Sequence, residues 1–379
     1  MLGINHSPSR TWPPRYELLD GLRGVASLGV LMHHLGVPTI GHYCVMIFFV
    51  ISGYCITAAA ESAVRARLSL AEFMRRRVRR IYPPYLAALV FFVLTRLIRN
   101  ALHLKPVIWR ATPIEWLQNL TLTQWVSDLF HPIIWPADNP SLFVAAFWSL
   151  NYEEQFYLIV GLGVMLAAKG RLGLRTVLFF ALTAFCLTWD MLRPAGPITG
   201  LFIEYWPHFA LGVCLFFVLT GSRGAAVRWL FLGATGLLAA VGLWHLFPWR
   251  EGITGTDARF YIEFAVLAAV SIGLVLLRPF SAAIARSMPW RPVAAIGLIS
   301  YSLYLIHMFN LNLVAAIVAH SLPAGAPTSL QVVAKMLLHL LLASAFWYLF
   351  ERPFLNRRPP SVDQRPAVGA RLAVGKSRA

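Results

Sequence analysis

The chain has 379 residues, of which 58% are hydrophobic and only 13% charged, and its mean hydropathy is +0.64. Soluble domains carry about 25% charged residues, so this composition excludes a soluble enzyme or a disordered chain and points to an all-α, polytopic integral membrane protein. The formal charge of +17 is accounted for by membrane topology and attraction to anionic lipids, and it calls for no nucleic acid.

Residues 1–20 read as a cytoplasmic N-terminal segment. They lack the basic region, apolar stretch and small-residue cleavage site of a signal peptide, so the first span is expected to be an uncleaved anchor. Ten apolar stretches follow, at 21–37, 43–60, 81–98, 144–168, 172–190, 198–219, 226–247, 257–277, 293–319 and 328–350. Each is near the roughly 20 residues that a bilayer core requires. With the N-terminus placed inside, and charges at span ends counted with the adjoining segment, 24 of the 33 Lys and Arg are cytoplasmic and seven external. The positive-inside rule then predicts ten spans with both termini in the cytoplasm.

The first span carries Arg23 and His34. Eleven residues advance a helix about three turns plus roughly 20°, and about 16 Å along its axis, so the two side chains share a polar stripe at different depths. Ionisable groups are costly in hydrocarbon and usually mark a pathway or a reaction site. Snorkelling to phosphates is the alternative for Arg23, and plain packing for His34. His33 is turned about 100° from His34.

Ser52 lies on the second span, within FFVISGY. Residues 61–80 hold seven arginines among Leu68, Phe73 and Val78, a pattern that suits a helix lying on the cytoplasmic surface. Arg76, Arg77 and Arg80 are either part of that lipid anchor or a grip on phosphates, for which planar guanidinium groups are well shaped. Residues 99–143 form a long external segment containing Trp109, Trp116, Trp125 and Trp135, and WLQNLTLTQW within it is expected to re-enter the bilayer or cap a cavity.

The fourth span begins FWSLNYEEQFYL, with Trp148, Glu153 and Glu154. Two adjacent carboxylates do not readily both ionise in a low dielectric. On the ninth span Ser300, Tyr304 and His307 fall at i, i+4 and i+7, with Tyr301 beside them. This stripe either lines a substrate passage or makes interhelical hydrogen bonds. Glu351, beside Arg352 and Pro353, reads as a helix stop with a local ion pair, outside the site. Cys44, Cys55, Cys186 and Cys214 fall in spans without metal-ligand spacing, and no metal is expected. Residues 357–379 are basic and contain proline, and are expected to be a disordered cytoplasmic tail. Arg outnumbers Lys 29 to 4, the bias of a GC-rich bacterial genome, which favours a bacterial inner membrane.

Taken in order, LRGVASLGVLMHH, FFVISGY, RRVRRIYPPY, FWSLNYEEQFYL, ISYSLYLIH and LFERPF resemble the motif series of the acyltransferase-3 family of membrane acyltransferases, over roughly residues 16 to 356. The resemblance implies a ten-helix membrane enzyme, here residues 21–356, that takes an acyl group from cytoplasmic acyl-CoA, with acetyl-CoA the expected donor. The acceptor it implies is a hydroxyl, often on an exported or lipid-linked glycan. The family's Arg-x10-His motif matches Arg23 and His34, and its Ser-Gly-aromatic motif matches Ser52, Gly53 and Tyr54, with Tyr54 in place of the more usual Phe. Its Arg-Arg-x-x-Arg motif matches Arg76, Arg77 and Arg80; its Trp-Ser-Leu and Glu motif matches Trp148, Ser149, Leu150 and Glu153. Larger relatives add an external hydrolase-like domain after the last span, and the expectation here is that any such module is a separate protein.

The chemistry constrains the roles. Acyl transfer from a thioester to an alcohol needs a base for the hydroxyl proton, donors for the oxyanion and a site that excludes water. Imidazole is the side chain suited to take and give a proton near neutrality, so His34 is the candidate base, and Glu153 is expected to orient it as the acid member of a triad does. Arg23, Ser52, Arg76, Arg77 and Arg80 are the candidates for holding acyl-CoA. Trp148, Tyr301, Tyr304 and His307 are the candidates for the acceptor. Membrane lipids and a second copy of the chain complete the expected partners. The competing reading is a proton-coupled transporter or flippase, which the absence of matched interrupted spans in the two halves weakens.

Overall fold

The computed structural model describes residues 16–37, 41–101, 111–130, 139, 141–192, 200–221, 224–244, 255–323 and 325–355. Trp109, Trp135 and the expected tail at 357–379 lie outside the described residues, as does most of the segment 1–20.

All regular structure among the described residues is helical. In chain order the helices are α1 (Leu18–His34), α2 (Gly41–Arg65), α3 (Leu70–Ala101), α4 (Pro113–Thr121), α5 (Trp125–Phe130), α6 (Trp148–Ala168) and α7 (Leu172–Leu192). There follow α8 (Trp206–Thr220), α9 (Gly224–Trp244), α10 (Gly255–Leu276), α11 (Ser281–Arg286), α12 (Trp290–Leu298), α13 (Ser300–Ser321) and α14 (Thr328–Phe346), the last running into a π-helical turn at Trp347–Glu351. Described helical residues occupy part of each of the ten expected stretches. Among the described residues, five helices are long and apolar enough to cross a membrane, or six if the bent pair Ala265–Leu276 and Arg278–Arg286 is one span.

Three expectations are revised. The sixth stretch, 198–219, shrinks to the 15 residues of α8, about 22 Å of helix against a hydrocarbon core of about 30 Å. The ninth, 293–319, divides at Ile299 into the short α12 and the 22-residue α13. The arginine-rich stretch 61–80 is not a separate surface helix: α2 runs on to Arg65, the chain turns, and Arg75 to Arg80 open the same helix, α3, that continues through the third stretch. Pro83 and Pro84 lie inside α3 and cannot donate to the carbonyls of Arg79 and Arg80. Such prolines are tolerated where neighbouring helices satisfy the freed backbone groups.

Two close crossings set the bundle. A Cβ at Gly53 of α2 would meet the Phe209 carbonyl and Gly212 of α8, and one at Gly212 would meet the Val50 carbonyl. The glycine of the Ser-Gly-Tyr motif is therefore where two backbones touch, the small-residue contact that replaces hydrophobic driving force between membrane helices. The same holds where α1 crosses α12 at Gly24 and Gly297. Around the α2–α8 crossing an aromatic core forms from Phe49, Phe156, Trp206 and Phe209, with the Phe156 and Phe209 rings stacked at 4.3 Å. α13 packs on α14 and on α1, and α3 packs on α6.

The stretch WLQNLTLTQW, expected to re-enter the bilayer or cap a cavity, falls on α4 and the start of α5. Thr112 and Glu115 form a reciprocal capping box that starts α4. Buried amides hold the segment together: Asn119 donates to the Ser141 carbonyl at 2.6 Å and accepts from Gln124 at 2.9 Å, while Asn139 donates to Asp128 at 2.6 Å. The Tyr85 hydroxyl reaches up from α3 to the Asn119 carbonyl at 2.6 Å. Trp116 packs against Phe143 in this layer.

Candidate functional site

Glu153 is the hub of the interior polar cluster. It lies on α6, where its Oε1 accepts from Ser52 of α2 at 2.8 Å and from Tyr157, one turn along α6, at 2.5 Å. Ser149, one turn the other way, shares a 2.7 Å hydrogen bond with the Tyr304 hydroxyl of α13. These groups line a cavity of about 70 Å³ together with Arg23 of α1, Arg80 and Ile81 of α3, Ser300 and Tyr301 of α13, and the apolar walls Val45, Phe48, Phe49 and Leu150. The Tyr301 hydroxyl donates to the Ile81 carbonyl at 3.0 Å, so its ring faces the cavity while its polar end bridges α13 to α3.

The arginines of α3 divide by helix face. Arg77 and Arg80 are half-buried and turn inward, whereas Arg75 and Arg76 both pair with Glu72 at 2.8 and 2.9 Å. The Arg76 side chain is 45% exposed. The structure turns 77 and 80 toward the interior and leaves 76 outside. Arg77 sits over the Phe73 ring and lines a smaller cleft with Glu153, Glu154, Tyr157 and Tyr82. Its Nε, like that of Arg23, is buried without a partner. Glu154 accepts from the Tyr82 hydroxyl at 2.5 Å, so the two adjacent carboxylates face different partners.

Glu351 joins this cluster, contrary to its expected place as a helix stop outside the site. The π turn swings its side chain inward, where it is only 4% exposed and accepts from Ser302 of α13 at 2.5 Å. Arg80 and Arg23 act on it as opposite charges. No pattern in a single sequence announces this, because the turn that aims Glu351 depends on packing against α3 and α13; π-bulges are frequent at functional sites. Tyr157 was also unassigned, although its i+4 spacing from Glu153 puts it on the same helix face.

His34 ends α1 and is exposed, away from the cavity that holds Arg23. The rings against it are His33, with centroids 5.3 Å apart, and His307 of α13, 5.1 Å apart. The hydrogen bonds of Glu153 go to Ser52 and Tyr157, so its expected role as the group that orients His34 is not what the geometry displays. His307 lines a second, small cavity that shares Phe48 and Tyr304 with the first, so the interior cluster and His34 are linked through α13. Trp148 is not part of either wall; it is buried among Phe49, Tyr152 and Tyr205. Among the described residues no group of three or more His, Cys, Asp or Glu is arranged to hold a metal ion.

A family model described as an acyltransferase domain matches residues 16–348. The O-acetyltransferase OatA of Staphylococcus aureus is 26% identical over 373 residues, covering 92% of this chain and 58% of that protein. The exopolysaccharide production protein ExoZ of Rhizobium meliloti is 29% identical over 354 residues, covering 86% of this chain and 92% of its own. The putative peptidoglycan O-acetyltransferase YrhL of Bacillus subtilis is 26% identical, with 92% and 56% covered. The chain thus spans little more than half the length of OatA and YrhL. No solved structure matches. With the family model spanning the helices that build the cavity, the chain belongs to the acyltransferase-3 family.

Proposed function

We propose that the protein is a membrane O-acyltransferase that moves an acetyl group from cytoplasmic acetyl-CoA to a hydroxyl of an extracytoplasmic or lipid-linked glycan, with His34 as general base. One observation carries the reading. Arg23, Ser52, Arg80 and Glu153, each from a different family motif and a different helix, line a single cavity. The names of the relatives, which refer to O-acetylation, peptidoglycan and exopolysaccharide, support the glycan acceptor.

The residues fit such a donor. Arg77 and Arg80 turn inward near the end of α3 that the charge pattern puts in the cytoplasm, and the unpartnered Nε of Arg77 is a donor in want of an anion. Guanidinium forks suit the phosphates of coenzyme A. A cavity of about 70 Å³ holds only a handful of water-sized centres at about 10–15 Å³ each, which favours an acetyl group over longer acyl chains. On this reading ten helical segments span the inner membrane between residues 21 and 356, both termini are cytoplasmic, and His34 lies toward the outer face, about 16 Å along α1 from Arg23.

His34 takes the acceptor's hydroxyl proton as the oxygen attacks the thioester carbonyl. Collapse of the tetrahedral intermediate breaks the C–S bond, and the thiolate leaves with that proton as free thiol. Arg23 and the Ser52–Glu153–Tyr157 cluster hold the thioester arm between the two faces. Donor and acceptor meet in a ternary complex, with no acyl-enzyme. The test is purified protein in nanodiscs with acetyl-CoA and cell-envelope glycan from a deletion strain. Acceptor-dependent release of free thiol, with ester on the glycan, is the expected result. Transport of glycan or of protons without thiol release would replace the enzyme with a transporter or flippase.

A further inference from the structure

His307 is 1% exposed, and its Nδ1 lies 2.8 Å from the Tyr304 carbonyl and 3.2 Å from that of Leu303. Carbonyl oxygens only accept, so Nδ1 carries the ring hydrogen and Nε2 is left as a bare lone pair. That Nε2 is buried and has no partner, although buried polar atoms are nearly always paired. The neighbouring hydroxyls are otherwise engaged: Ser27 donates to the Gly24 carbonyl, and Tyr304 is bonded to Ser149. Three polar rings lie around His307: His34, with centroids 5.1 Å apart and planes tilted by 43°, Tyr304 at 6.0 Å, and His339 of α14, whose Nδ1 is bonded to the Lys335 carbonyl. His307 is locked by its two carbonyls, while His34 is exposed at a helix end and free to turn.

We infer that His307 is the positioning residue for His34: its Nε2 accepts the ring N–H of His34, which fixes the tautomer of His34 and leaves the other nitrogen bare toward the acceptor hydroxyl. This rests on the reading of His34 as general base. The contact closes by a rotation of His34 when substrates bind, as catalytic hydrogen bonds commonly tighten in the loaded enzyme. The chain from backbone carbonyl to His307 to His34 does with neutral groups what a carboxylate does in a triad. It leaves Glu153 free to hold Ser52 and Tyr157.

The experiment compares wild type, His34→Ala, His307→Phe and His307→Gln in nanodiscs, with acetyl-CoA as donor and glycan from the deletion strain as acceptor. Acetyl-CoA binding is measured alongside to verify folding. His307→Phe keeps the ring's volume but offers no acceptor, and kcat is expected to fall about 100-fold with KM for acetyl-CoA unchanged. His307→Gln offers an amide oxygen to the same N–H and is expected to recover most of that loss. Full kcat in the Phe variant, or equal impairment of both variants with acetyl-CoA binding intact, overturns the assignment. A loss that appears only in KM overturns it in favour of substrate contact. If wild type binds acetyl-CoA but releases no thiol, or if His34→Ala is fully active, the reading of His34 as base fails first and the inference with it.

Discussion

Glu351 offers the sharpest test of the interior charge cluster. Its carboxylate is buried, accepts the Ser302 hydroxyl at 2.5 Å, and faces Arg80 and Arg23. Glu351→Gln keeps an oxygen for Ser302 and removes only the charge, whereas Glu351→Ala removes both. Arg80 and Arg23 are half-buried, so removing the charge they feel costs about 1 kcal/mol, and loss of the Ser302 hydrogen bond adds about 1 kcal/mol. Glu351→Gln is therefore expected to lose about 1 kcal/mol of stability, with Glu351→Ala roughly 1 kcal/mol worse. Denaturant titration in mixed micelles, followed by tryptophan fluorescence, reads both differences. At 1.36 kcal/mol per tenfold change, the Gln variant should shift the folded-to-unfolded ratio by about fivefold. Equal stability of Glu351→Gln and wild type would show that Arg23 and Arg80 do not depend on this carboxylate, and would return Glu351 to the helix-stop role.

His34→Ala should abolish acetyl transfer while acetyl-CoA binding persists, and His33→Ala should keep substantial activity; equal loss in both, measured by thiol release, would refute the choice of base. The double variant Arg77→Lys, Arg80→Lys keeps charge but loses the planar fork, so acetyl-CoA affinity by calorimetry should weaken, whereas Arg76→Lys should leave it unchanged because Arg76 faces outward and pairs with Glu72. Burial pushes the Asp128 carboxyl up to about 6, against the opposing hydrogen bond from Asn139. Its folded value lies above the unfolded value of about 3.9, so the segment of α4 and α5 is firmest below that pH and loosens as pH rises through about 6. Protection factors across residues 113–130, with intrinsic exchange normalised at each pH, should fall over that range in wild type and not in Asp128→Asn.

Much of this protein is legible in its sequence. Sparse charge and long apolar runs demand helices in a membrane, because only helices and closed barrels satisfy every backbone group there. Helical periodicity alone relates Arg23 to His34, Ser149 to Glu153 and Glu153 to Tyr157, since each pair lies within one helix. The ordered motifs also carry the family. What one-dimensional spacing lacks is rotation and approach between helices. Only the packed bundle turns Arg77 and Arg80 inward and Arg76 out, brings Ser52 to Glu153 across 101 positions, and seats Trp148 in an aromatic cluster. The same holds for His307 against His34 and for Glu351 against Ser302: each contact joins different helices and, at Glu351, depends on a π turn. Those features answer to the shape of neighbouring helices, which no local run of residues encodes.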